Sequence, residues 1–106
     1  LTHYGPMYDF TPQGSGPEAV RWVREENDRR MLDLMVRMDA EGVVPEAAGH
    51  QNACGAGAVA ATMAAARELG AEHGCVVQYT TSFDVMREKL GRTDYDATVG
   101  YAGVVF

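Results

Sequence analysis

The chain predicts an α/β fold, and three observations carry that prediction. Apolar residues recur at helical steps between Val20 and Met38, an alanine-rich helical run covers residues 58–69, and two β-rich stretches follow at 76–81 and 98–106. With 106 residues, 46% of them hydrophobic and 23% charged, the chain has an ordinary globular composition. That argues against disorder, a collagen-like repeat and a disulfide scaffold. A monomer of this length holds at most one small core, hiding roughly two-thirds of its unfolded surface.

Residues 1–17 contain Pro6, Pro12 and Pro17 with Tyr4, Tyr8 and Phe10 between them, which predicts an ordered aromatic loop. Pro17 and Glu18 open a long amphipathic helix of about six turns whose apolar stripe is Val20, Val23, Met31, Leu34, Met35 and Met38. Its other face, with Arg21, Arg24, Glu25, Asp28, Arg29 and Arg37, reads as solvated, and Gly42 with Pro45 is the expected stop. A loop is expected over 43–52. The run 58–69 has alanine on nearly every side, so it is expected to be a buried, close-packing helix closed by Gly70. Between the two strands, 82–97 reads as a long polar connector. Gly100 and Gly103 in the last strand suggest close packing or a bulge.

Two helices, two strands and a long amino-terminal loop leave the fold short of neighbours, because two strands do not make an independently stable sheet. Either a homo-oligomer or a larger α/β domain would supply them. Leu1-Thr2-His3-Tyr4 has no initiator Met, basic region or apolar core of a signal peptide, so the expectation is the carboxyl-terminal part of a larger domain.

Nine Lys plus Arg against fifteen Asp plus Glu give a net charge of -6, and there is no basic block to neutralise phosphates. Nucleic acid and anionic membranes are therefore not expected partners. The longest weakly polar stretch, 56–66, is about half of the roughly 20 residues that span a bilayer. Cys54 and Cys75 lack Cys-x-x-Cys spacing and secretory context, so a reduced, cytoplasmic protein is expected.

Cys54 is the first candidate for chemistry. It precedes a glycine-flanked helix whose free N–H groups and dipole suit a thiolate, as metal ligand or nucleophile; a small buried hydrophobe is the plainer alternative. His3 is the second, an imidazole in a loop, against the alternative of a polar surface residue. His50 makes a weak His-x-x-x-Cys spacing with Cys54, while Cys75 and His73 read as structural and solvent-facing. Gly55-Ala56-Gly57 resembles part of a phosphate cradle, but no strand precedes it and Ala60 replaces the third glycine. Asp84 follows a strand end, where α/β sheets build sites, and equally suits a turn cap.

Four separated stretches then converge on one family. Leu1-Thr2-His3-Tyr4-Gly5-Pro6, Asn52-Ala53-Cys54-Gly55-Ala56-Gly57, Tyr79-Thr80-Thr81-Ser82 with Asp84, and Val99-Gly100-Tyr101-Ala102-Gly103 through Phe106 resemble the carboxyl-terminal third of the Memo family, called AmmeMemoRadiSam system protein B in prokaryotes. The resemblance covers nearly the whole chain. It implies an αβα sandwich related to class III extradiol dioxygenases, with residues 1–106 as the last part of a single domain.

It further implies a divalent metal, iron first and copper or zinc as alternatives, held by two histidines from residues absent in this chain and by a cysteine that matches Cys54. The histidine that lies beside the metal as acid or base matches His3, with Tyr4, Gly55 and Asp84 as neighbours of the site. The chain departs from the family at Ser82-Phe83-Asp84, where Ser-Gly-Asp is common, which weakens the transfer to Asp84. A cysteine in place of the usual carboxylate changes the charge and softness of the metal site. Two functions follow as expectations: a metal-dependent, dioxygenase-like site acting on a small molecule, or a non-catalytic module whose cleft binds a peptide or partner protein.

Overall fold

The structure is a computed structural model, and it describes residues 1–93 and 97–106. It is a mixed helix and strand fold, richer in elements than the sequence predicts. Strand β1 (His3–Tyr4) is followed by a 3₁₀ turn (Pro6–Tyr8), helix α1 (Pro17–Trp22), a π-helical turn (Val23–Asn27) and helix α2 (Asp28–Val36). Helices α3 (Ala40–His50) and α4 (Ala56–Glu68), strand β2 (Cys75–Thr81), helix α5 (Ser82–Leu90) and strand β3 (Thr98–Val105) complete it.

The six-turn helix exists as α1, the π turn and α2 in direct succession, but it stops at Val36 and not near Gly42. Met38 takes the left-handed conformation, φ 59°, and the Asp39 N–H returns to the Leu34 carbonyl at 3.0 Å. That cap is usual for glycine; here the Met38 side chain is buried, which holds the turn in place. Asp39 then caps α3 by accepting from the Gly42 N–H at 3.1 Å, so the expected loop 43–52 is largely helix, with Pro45 inside it. A Cβ on Gly42 would press on Asp39 and Leu34; this glycine permits a close approach and does not end a helix.

The π turn corrects a second expectation. One extra residue in a helical turn is worth about 100° of rotation, and past it Asp28 lies fully buried instead of on the solvated face.

The sheet has the order β1-β3-β2, antiparallel throughout. The expected aromatic loop thus contributes a strand, with His3 opposite Val99 and Tyr4 opposite Thr98. Both suggestions for the β3 glycines hold. Gly103 lies opposite Gln78, beside a register shift between Val76 and Gln78, and Gly100 packs so tightly on Asp28 that a Cβ there would collide with the carboxylate.

The expected connector 82–97 contains α5. Thr81 and Asp84 form a reciprocal capping box, and Gly91 closes the helix at φ 63°. Positions 94–96 of that connector lie outside the described residues.

The main core is Met31, Leu32, Leu34, Met35, Ala40, Val43 and Met63, with Val76, Tyr79, Val104 and Phe106 of the sheet region packed against it. A second cluster joins Tyr4, Ala19 and Val23, with Phe10 and Trp22 around them. Helix α4 is not the buried helix expected. Only Met63 is buried, while Ala58, Ala61, Ala64 and Ala65 are exposed, because α4 has α3 on one side and, among the described residues, no element over its outer face.

Candidate functional site

The end of α3 and the start of α4 bring Cys54 and Gly55 to the wall of an open cleft of about 420 Å³. Gly55 occupies the N-cap position of α4 and supplies no side-chain cap, leaving the first N–H groups of a 13-residue helix without a side-chain acceptor there. Ala58, Val59 and Thr62 extend the same wall along α4. Across the cleft lie Leu1 and the β3 residues Gly100, Tyr101 and Ala102. The Cys54 thiol is free and exposed, so the small-buried-hydrophobe alternative does not describe it.

His3 stands at the edge of this arrangement and does not line the cleft. Its ring is half-buried, packs edge-on against Tyr8 with centroids 5.1 Å apart, and places Nδ1 3.1 Å from the carbonyl oxygen of Leu1, itself a cleft residue. A carbonyl only accepts, so Nδ1 carries the hydrogen of this bond, and the neutral tautomer that makes it has its lone pair on Nε2.

Tyr4 and Asp84 have structural duties away from the cleft. The Tyr4 ring is buried among Phe10 and Trp22; its hydroxyl donates to Gly14 O and accepts from Gln13 N–H, each at 2.9 Å. Asp84 caps α5 and pairs with Arg24 of the π turn. His50 ends α3 with its ring 3.8 Å from Glu46, and His73 is exposed. Cys75 is free and exposed as well.

Sequence reasoning missed a buried polar cluster behind the cleft. The Asp28 carboxylate accepts from the Thr2 N–H at 2.8 Å, from the Thr2 hydroxyl, and from the Tyr79 hydroxyl at 2.8 Å. Asn27 Nδ2 donates to Thr2 Oγ1 at 3.0 Å and to the His50 carbonyl at 2.9 Å; Asn52 Nδ2 donates to the Asn27 carbonyl at 2.9 Å. Burial pushes the Asp28 carboxyl above its ordinary value, partly offset by the bonds from Thr2 and Tyr79. Burial first, and the Asp28 charge next, push the Tyr79 hydroxyl up, so it stays a donor. The polar run 24–30 read as surface because nothing in it marks the π turn.

Among the described residues no three His, Cys, Asp or Glu side chains converge as a metal site. On the cleft the soft donor is the Cys54 sulfur, and the described residues do not complete a metal centre around it. No helix among the described residues is long and apolar enough to cross a membrane.

An α/β chain with a thiol-bearing cleft between a helix start and a sheet defines the class of protein, and the comparisons name the family. The model of the Memo-like protein family matches residues 1–105. A MEMO1 family protein of Thermococcus onnurineus is 32% identical over 105 residues, 98% of this chain and 34% of its own length. One from Pyrococcus horikoshii is 31% identical over 104 residues, 97% and 34% of the two chains. One from Methanothermobacter thermautotrophicus is 37% identical over 105 residues, 96% and 30%. The chain belongs to the Memo-like family. It spans about a third of the length of the curated relatives it matches. No solved structure matches it.

Proposed function

We propose that this chain supplies one wall of a metal-dependent, dioxygenase-like site, with Cys54 as a thiolate ligand and His3 as the acid or base beside it. The observation that carries the reading is the position of Cys54, exposed on the cleft just before the N-cap of α4 rather than packed in the core. One donor does not make a metal centre, so the remaining ligands are assigned to residues outside this chain. The relatives, about three times as long, leave room for them. On the same reading residues 1–106 are the carboxyl-terminal part of a single αβα domain, and the bare outer face of α4 is where the rest of it packs.

A divalent metal, iron first and copper or zinc as alternatives, would supply Lewis acidity and, for iron or copper, a redox centre. The chain's own residues have definite work around it. The walls made by Val59, Ala102 and Val104 limit water, Cys54 offers the soft sulfur, and Nε2 of His3 takes or returns a proton while Leu1 O holds Nδ1–H. Two free, exposed thiols suit a reducing compartment, and we place the protein in the cytoplasm.

Metal analysis of the full-length protein, wild type against Cys54→Ser, tests the reading. The variant is expected to lose metal affinity by at least about tenfold, by analogy with what even outer partners of a metal site contribute. Unchanged stoichiometry and affinity would refute the ligand role.

The mostly apolar lining of the cleft favours a second reading, a non-catalytic site for a peptide or small molecule. That reading predicts ligand binding untouched by Cys54→Ser and by chelators.

A further inference from the structure

The buried cluster around Asp28 converges on Thr2, next to His3. Thr2 is held at every polar atom it has. Its N–H and hydroxyl donate to Asp28, its hydroxyl oxygen accepts from Asn27, and its carbonyl accepts from the Gly100 N–H at 3.0 Å. Leu1 is held beside it, its backbone nitrogen donating to the Gly100 carbonyl at 3.0 Å. With Leu1 and Thr2 immobile, the Leu1 carbonyl is a fixed acceptor for His3 Nδ1.

We propose that Asp28 is a positioning residue for His3: through Thr2 and Leu1 it fixes the Nδ1–H tautomer and leaves Nε2 as the basic nitrogen. Asp28 packs on Gly100 of the cleft lining, and its effect on His3 passes along two residues of backbone. Gly100 completes the arrangement, since only a residue without a Cβ lets β3 lie against the carboxylate and bond both Leu1 and Thr2. Tyr79 donates to the second carboxylate oxygen at 2.8 Å. The charged groups that face this pair through Tyr79 are Arg24 and Asp84.

The inference rests on the proposed acid or base role of His3 for its purpose, but its test does not. Two-bond ¹H–¹⁵N correlation spectra of histidine-labelled protein, with His3 assigned by His3→Gln, read the tautomer directly. The wild type is expected to show a single Nδ1–H pattern. Asp28→Asn, and Thr2→Val as the variant that keeps the buried carboxylate, are expected to show a mixture of both tautomers, whereas Thr2→Ser, which retains the hydroxyl, restores the single pattern. A His3 pattern in folded Thr2→Val or Asp28→Asn identical to wild type would overturn the proposal, as would a wild-type Nε2–H pattern. If His3→Gln leaves the activity of the full-length protein unchanged, the acid or base reading fails while the tautomer result stands.

Discussion

Asp28 shows how much a single side chain can organise when its surroundings are dry. Three donors meet its two oxygens, and burial still outweighs them in raising its protonation range above 3.8. The sign of the linkage follows. Between 3.8 and the raised folded value the native state binds more protons than the unfolded chain, so this group's contribution to stability falls as pH rises through that window. A pH series of urea unfolding is expected to show that declining segment in the wild type and to lose it in Asp28→Asn. At neutral pH the substitution is expected to destabilise by about 1–3 kcal/mol, because it leaves buried donors without an acceptor. Gly100→Ala presses a methyl group into the same carboxylate and is expected to cost about 1–3 kcal/mol, read as a lower urea midpoint at constant slope. Cys54 and His3 were legible as candidates because thiols and loop imidazoles declare their chemistry in any context. Asp28 and Thr2 were not, because their importance lies only in being buried together.

At the scale of elements, local signals decided where helices start and left where they end to tertiary contacts. Pro17 and Glu18 open α1 as expected, but α2 ends at a left-handed Met38, a residue type with no stop signal of its own. Asp39 and the Thr81–Asp84 pair are capping signals visible in the chain, and they start the two helices, α3 and α5, that read as loops. Composition hid them: Pro45 reads as a breaker in the first, and the charged stretch after Asp84 as a connector in the second. The Arg24–Asp84 pair then ties α5 back to the π turn. Thr81→Ala is expected to cost about 1 kcal/mol and to speed amide exchange within Ser82–Leu90. Thr81 pairs across the sheet with Gly100 but does not itself line the cleft, so metal binding by the full-length protein should be unchanged.

The whole molecule is broad and thin, with principal extents of 43 × 28 × 18 Å and a radius of gyration of 14.4 Å; a compact chain of this length is expected near about 13 Å. Its exposed alanines on α4, together with Val77, Tyr101 and Val105 on the sheet, are apolar surface without a cover. On the proposed larger domain, the 106-residue chain in isolation is expected to bind a hydrophobic dye and to unfold over a shallow urea transition. A steep, single transition with no dye binding would contradict that architecture.

The amino-acid sequence by itself determined the α/β class, the two principal strands, the Memo resemblance and the thiol at the start of α4, because these depend on periodicity and on residues whose chemistry is local. Only the tertiary structure decided that Asp28 faces inward, that the first residues form a strand, and that Tyr4 and Asp84 brace the fold away from the cleft. Those outcomes turn on one extra residue in a helical turn and on long-range pairing with β3, and neither leaves a mark on the residues that nearest neighbours can read.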